Sequence, residues 1–119
     1  MTPLGARLRA MRRERNISLK TMAGALDVSS AYLSALEHGK RGKPTWFLLN
    51  RIITYFNVIW DEAEDLQRLA EISDPRVTVD TAGLAPEATE FANRLARDIG
   101  RLTAADLIAL KTELVKRVR

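Results

Sequence analysis

The sequence contains no cysteine and a single histidine, His38. A disulfide framework is excluded, and no Cys/His cluster can be assembled to hold zinc. The six glycines are too scattered for a phosphate-cradling loop and no nucleophile–base pair is recognisable, so the residue inventory offers no enzyme chemistry and implies neither cofactor nor metal. No run of 18 or more apolar residues is present, and the opening MTPLGARLRAMRRER lacks the apolar block of a signal peptide. The expectation is a cytoplasmic protein without a membrane partner. At 119 residues there is room for one core plus an appendage, and too little for two large independent cores.

Charge is plentiful but unevenly spread. Residues 1–43 carry nine Lys/Arg against three acidic residues, residues 44–75 two against six, and residues 76–119 eight against six. A basic first third followed by an acidic segment suits a polyanion-binding face backed by a solvated one.

Apolar residues recur at helical spacing along most of the chain. Leu4, Leu8 and Met11 predict an amphipathic helix capped by Thr2, with Pro3 at its first position, running to about Arg15 with arginines outward. Ser18 caps a second, short helix with Leu19, Met22, Ala23 and Leu26 inward, and Asp27 falls in the turn, where a left-handed backbone is needed. Ser29 or Ser30 caps a third helix that buries Leu33 and Leu36 and ends at Gly39. Residues 40–44 form a basic loop, and Thr45 opens a fourth helix contributing Trp46, Leu49, Ile52, Ile53 and Phe56 to the core. Trp46 and Trp60 are read as core residues, not stacking platforms for single strands. Asp61 with Glu64 resembles a capping box starting a fifth helix to about Ser73, with Leu66, Leu69 and Ile72 inward.

The chain is organised around residues 17–39, two short helices joined by a tight turn, the second with small polar residues outward. This reads as a DNA-binding helix-turn-helix. In such a motif the second helix puts the start of its outer face into the major groove, and that face needs donors and acceptors without bulk. Ser29, Ser30, Tyr32 and Ser34 meet the requirement, although Tyr32 could instead pack on the loop 40–44. Phosphate binding calls for cations and free backbone N–H groups around the groove, which Lys20, Lys40, Arg41, Lys43 and the helix start at Thr45 can supply.

Asp74-Pro75, the β-favouring run 76–80, Gly83 and Pro86 interrupt the helical pattern, giving a linker over 75–86 that could hold a short strand. Helical periodicity then returns over 87–119 as two helices broken at Gly100, with Thr103 and Asp106 starting the last. Their apolar face, Phe91, Leu95, Ile99, Leu107, Leu110 and Leu114, is too wide for two helices to bury alone. It must be covered by the first domain, by a second copy in a homodimer, or by a foreign protein.

The run LRAMRRERNISLKTMAGALDVSSAYLSALEHGKR resembles the XRE/phage-repressor (lambda-repressor-like) family of helix-turn-helix regulators, over residues 4–58. The resemblance implies an all-α chain: a five-helix repressor-like DNA-binding domain over 1–74 and a C-terminal helical hairpin used for dimerisation. It implies base-edge contacts from Ser30, Ala31 and Ala35, joined by Tyr32 and Ser34, and phosphate contacts from Ser18, Lys20, Lys40 and Lys43. It further implies that Arg12 pairs with Glu37. Asp27 stands where the family usually has a turn glycine, and Ala31 and Ala35 where long amides often read bases, so thymine methyls and DNA shape would carry more of the readout. The function expected is a homodimeric repressor on double-stranded DNA. The alternative is an antitoxin-like or antirepressor-like module that sequesters a partner through its hairpin and binds DNA for autoregulation.

Overall fold

Hydroxyl side chains set most of the helix starts. In the computed structural model, which describes all 119 residues, Thr2 accepts a hydrogen bond from the Gly5 N–H at 2.9 Å and opens α1, Pro3–Glu14. Ser18 accepts from the Thr21 N–H (3.0 Å) at the head of α2, Leu19–Leu26, and Ser29, not Ser30, accepts from the Tyr32 N–H (3.0 Å) at the head of α3, Ser30–His38. Thr45 does the same for α4, Trp46–Phe56, at 3.2 Å from the Leu48 N–H. Each cap satisfies one of the free donors at a helix N-terminus. The ends are equally local: Asp27, Gly39 and Asn57 all take left-handed backbone conformations that turn the chain out of α2, α3 and α4.

The fifth helix, α5, Asp61–Glu71, departs from the expected pattern. Its cap position is Trp60, which makes no capping hydrogen bond, so Asp61 and Glu64 form no capping box. Asp61, Glu62 and Glu64 instead lie within the first turn, where the helix dipole favours carboxylates. The helix stops at Glu71, leaving Ile72 exposed and turning Ser73 inward. Both tryptophans are also outside the core: Trp46 is 67% and Trp60 81% exposed. Trp46 begins α4 on its outer side, while Leu48, Leu49, Ile52 and Phe56 take the inner positions.

The chain divides into two compact units, Met1–Val77 and Thr78–Arg119. In the first, Leu4, Leu8 and Met11 of α1 meet Met22, Ala23 and Leu26 of α2, Leu33 and Leu36 of α3, the α4 residues above, and Leu66 and Ala70 of α5. Each fully buried leucine or isoleucine contributes about 1.5–3 kcal/mol by leaving water. Two close contacts fix how α1 lies. A Cβ on Gly5 would stand 2.1 Å from the Glu37 carbonyl oxygen, so α1 and α3 cross at a distance only glycine permits. Buried Ser73 accepts from the Leu4 N–H at 2.9 Å and donates to the Leu69 carbonyl, stapling the end of α5 to the start of α1.

The β-favouring run 76–80 forms no strand, for no second strand exists with which it could pair. In the second unit α6, Pro86–Asp98, begins on its proline, passes through a single 3-10 turn at Ile99–Arg101, and is followed by α7, Ala104–Arg117. Thr103 and Asp106 form the reciprocal capping box expected of them. The Asp106 carboxyl is held below the ordinary carboxylate range, first by the Thr103 backbone N–H and then by the Thr103 side chain. The cap is therefore at full strength above the unfolded carboxylate's pKa and fades as pH falls through the lower folded value. No residue of α6 or α7 is buried.

Gly5→Ala is expected to destabilise the first unit by about 1–3 kcal/mol, because a backbone carbonyl cannot give way as a flexible side chain can. Denaturant unfolding measures it, and a loss below about 0.5 kcal/mol would show that α1 can slide away from Glu37. Ser73→Ala strands the buried Leu4 N–H and should cost about 1–3 kcal/mol in the same assay.

Candidate nucleic-acid interface

The site begins with an ion pair. Glu37, on the inner face of α3, is 1% exposed. Its carboxylate accepts two hydrogen bonds from Arg12, Nε to Oε2 and Nη2 to Oε1, both at 2.9 Å. The same guanidinium donates through Nη1 to the Ile17 carbonyl at 3.3 Å. One side chain of α1 thus holds both the inner face of α3 and the backbone that leads into α2. A bidentate guanidinium–carboxylate pair fixes orientation as well as distance, since its two parallel bonds admit one relative rotation.

Between α2 and α3 the chain turns at Asp27, at φ 59° and ψ 44°, with the Val28 N–H bonded to the Ala23 carbonyl at 3.0 Å. Aspartate in place of glycine therefore leaves the turn left-handed, as the motif requires. α3 packs against α1 and α2 and buries Leu33, Leu36 and Glu37. Its remaining positions face outward: Ser30 and Ala31 are exposed, and Tyr32, Ser34 and Ala35 are half-buried. The Ser29 hydroxyl, engaged as acceptor by the cap, keeps its proton for an outside acceptor. The Tyr32 ring lies beneath Arg41, whose guanidinium carbon is 5.7 Å from the ring centroid, so the tyrosine braces the loop that follows α3.

The cationic residues stand around this helix. Lys20 is exposed in the first turn of α2 beside its cap Ser18, and Lys40, Arg41 and Lys43 are exposed in the loop between α3 and α4. Buried Pro44 anchors that loop, and Thr45 is occupied in capping α4. Helix starts with free N–H groups beside lysines are suited to phosphate oxygens. Sequence reasoning missed Gly5 and Ser73, which hold α1 in place, and the exposed aromatics Trp46 and Phe47, which border a groove with Ala25 and Leu26 of α2. The His38 ring, read from the sequence as a solvated or phosphate-near residue just before the helix cap, is exposed, and its Nδ1 donates to the Ser34 carbonyl at 2.8 Å, which leaves Nε2 free at the end of α3.

The helix-turn-helix domain family matches residues 3–66, which is more than half of the chain and includes every element just described. The chain belongs to this family. It is similar to RghRB of Bacillus subtilis (strain 168), an uncharacterised HTH-type transcriptional regulator, with 33% identity over 61 residues that cover 51% of this chain and 44% of the relative. The chain spans less than half the length of that curated relative. No solved structure matches it. Within the helix-turn-helix, Arg12 and Glu37 pair as the sequence resemblance implies. No helix of the chain is long and apolar enough to cross a membrane.

Arg12→Met should destabilise the domain by about 3–5 kcal/mol, because it leaves Glu37 buried without a counter-charge. Adding Glu37→Leu should recover most of the loss. If denaturant titration shows no recovery in the double variant, the ion pair is not the source of the effect.

Proposed function

We propose that the protein is a sequence-specific regulator of transcription that binds double-stranded DNA as a homodimer and represses by occluding a near-palindromic operator. The observation that carries this reading is the outer face of α3: a helix locked from behind by Arg12–Glu37, presenting serines, alanines and the edge of Tyr32, and framed by exposed lysines. Ser29, Ser30, Ala31, Ser34 and Ala35, with the edge of Tyr32, take the base contacts, and Ser18, Lys20, Lys40, Arg41, Lys43 and the start of α4 at Thr45 take the phosphates. Residues 1–74 form the DNA-binding domain, 75–86 the linker and 87–119 the dimerising element, acting in the cytoplasm. The family match and the regulator named among its relatives support the same reading.

The exposed apolar face of α6 and α7 also favours a second reading, in which the C-terminal helices sequester a foreign protein and DNA binding serves autoregulation. Light scattering of the full chain separates the two: a dimer supports the first and a stable monomer the second.

Selection from a random duplex pool should return a symmetric site with half-sites centred about one helical turn, or a multiple of it, apart. Ser30→Glu should abolish binding without altering the unfolding midpoint. Lys43→Ala should weaken all sequences alike and lower the slope of log affinity against log salt by about one. Equal affinity of the unaltered protein for selected and random DNA at moderate salt overturns the proposal.

A further inference from the structure

The proposed dimer leaves open which helices meet and in which direction, and the charges of α6 speak to both. Ala88, Phe91, Ala92 and Leu95 form its apolar stripe, with Phe91 65% exposed. At about 100° per residue the two borders of that stripe differ. On the Phe91 side lie Glu87, Arg94 and Asp98; on the other lie only Thr89, Asn93 and Ala96. Arg94 already pairs with Glu90 at 3.0 Å and Asp98 with Arg97 at 3.3 Å, whereas Glu87 makes none of the chain's ion pairs. The unit itself is close to neutral, with seven basic and six acidic residues from Thr78 to Arg119, so net charge does not oppose its self-association.

Two parallel copies of a helix set opposite borders of their stripes against each other, and two antiparallel copies set like borders together. A parallel pair would put Glu87 and Arg94 against Thr89 and Asn93, where neither charge finds a partner. An antiparallel pair puts the charged borders together, and a two-fold axis between Glu90 and Phe91 brings Glu87 of each copy opposite Arg94 of the other. The same axis sets the two Phe91 rings side by side at the crossing and Leu95 across from Pro86. We infer that the occupant of this face is a second copy of the chain, paired through antiparallel α6 helices in the register that joins Glu87 to Arg94 twice. This rests on the reading of the protein as a homodimer and adds its direction and register. α7 carries a second exposed apolar set, Leu107, Leu110 and Leu114, in the same unit.

Sedimentation velocity of the full chain tests this by charge exchange. Glu87→Arg alone and Arg94→Glu alone each replace two attractions by two repulsions and should raise the dimer dissociation constant about tenfold or more. The double variant restores opposite charges across the axis and should return to within about threefold of the unaltered protein. Within one helix these residues are seven apart and cannot meet, so recovery reports contact between copies. Phe91→Glu, with helicity checked by circular dichroism, should give a monomer. A double variant that stays as weak as the singles overturns the register, and a monomeric unaltered chain overturns the pairing altogether. If that monomer still selects specific DNA, the regulator reading stands while this inference falls. A dimer that restores on charge exchange but shows no DNA preference upholds the inference and removes the regulator reading.

Discussion

The first unit depends on one buried ion pair. Arg12 spends both edges of its guanidinium, two bonds on Glu37 and one on the Ile17 carbonyl, and thereby joins α1, the entrance to α2 and the inner face of α3. Such a pair adds little net stability, because taking both charges from water offsets most of their attraction. Its contribution is to geometry. Apolar contacts among Leu8, Met22, Leu33 and Leu36 would tolerate a small rotation of α3 about its axis, since leucines slide past one another at modest cost. A bidentate pair does not tolerate it, and rotation of α3 is what would carry Ser30 and Ala31 away from the direction in which they project. The glycine at position 5 serves the same end by letting the backbone of α1 close onto the Glu37 carbonyl.

How much of this could be read from the residues follows from the range over which each feature acts. Caps are local, and the hydroxyls of Thr2, Ser18, Thr45 and Thr103 sit where spacing puts them, as do the left-handed ends at Asp27 and Gly39. Local reading failed at Trp60, because Asp61 and Glu64 satisfy the spacing of a capping box while the chain enters α5 one residue earlier, in a backbone conformation at φ 54° that tryptophan seldom adopts. Apart from Arg12–Glu37, which the family resemblance implies, the long-range contacts were not legible. Nothing in the neighbourhood of Ser73 announces that its hydroxyl will receive the Leu4 N–H 69 residues away, and a glycine in the first turn of α1 looks like a poor helix former until its distance from α3 is known.

The tryptophans show the limit of hydrophobicity as a guide to burial. Trp46 and Trp60 are spaced correctly from other apolar residues, but a core of this size is filled by the aliphatic side chains and Phe56. Helix ends are where bulky rings are left over, and both tryptophans lie at the start of a helix. Trp46 and Phe47 then become an apolar border on α4, with Arg51 over the Phe47 ring at 5.9 Å from its centroid.

A recognition surface made of serine and alanine has a physical consequence on the proposed function. Long amides and arginines can form bidentate contacts with a base edge, each worth about 1–3 kcal/mol of discrimination, and α3 presents none of them outward. On the proposed reading the lysines around α3 bind phosphate whatever the sequence, so a single domain would hold DNA with an affinity that falls steeply with salt and with little preference. Selectivity then has to come from features that one small helix face cannot supply: the deformability of the duplex between contacts, and the fixed spacing of two domains that must both engage. The second unit, which buries nothing by itself, fits that need. On the proposed reading, a second copy covering that exposed face makes the two-domain arrangement the stable form of the protein, and discrimination that is weak in each half is squared when both halves must match.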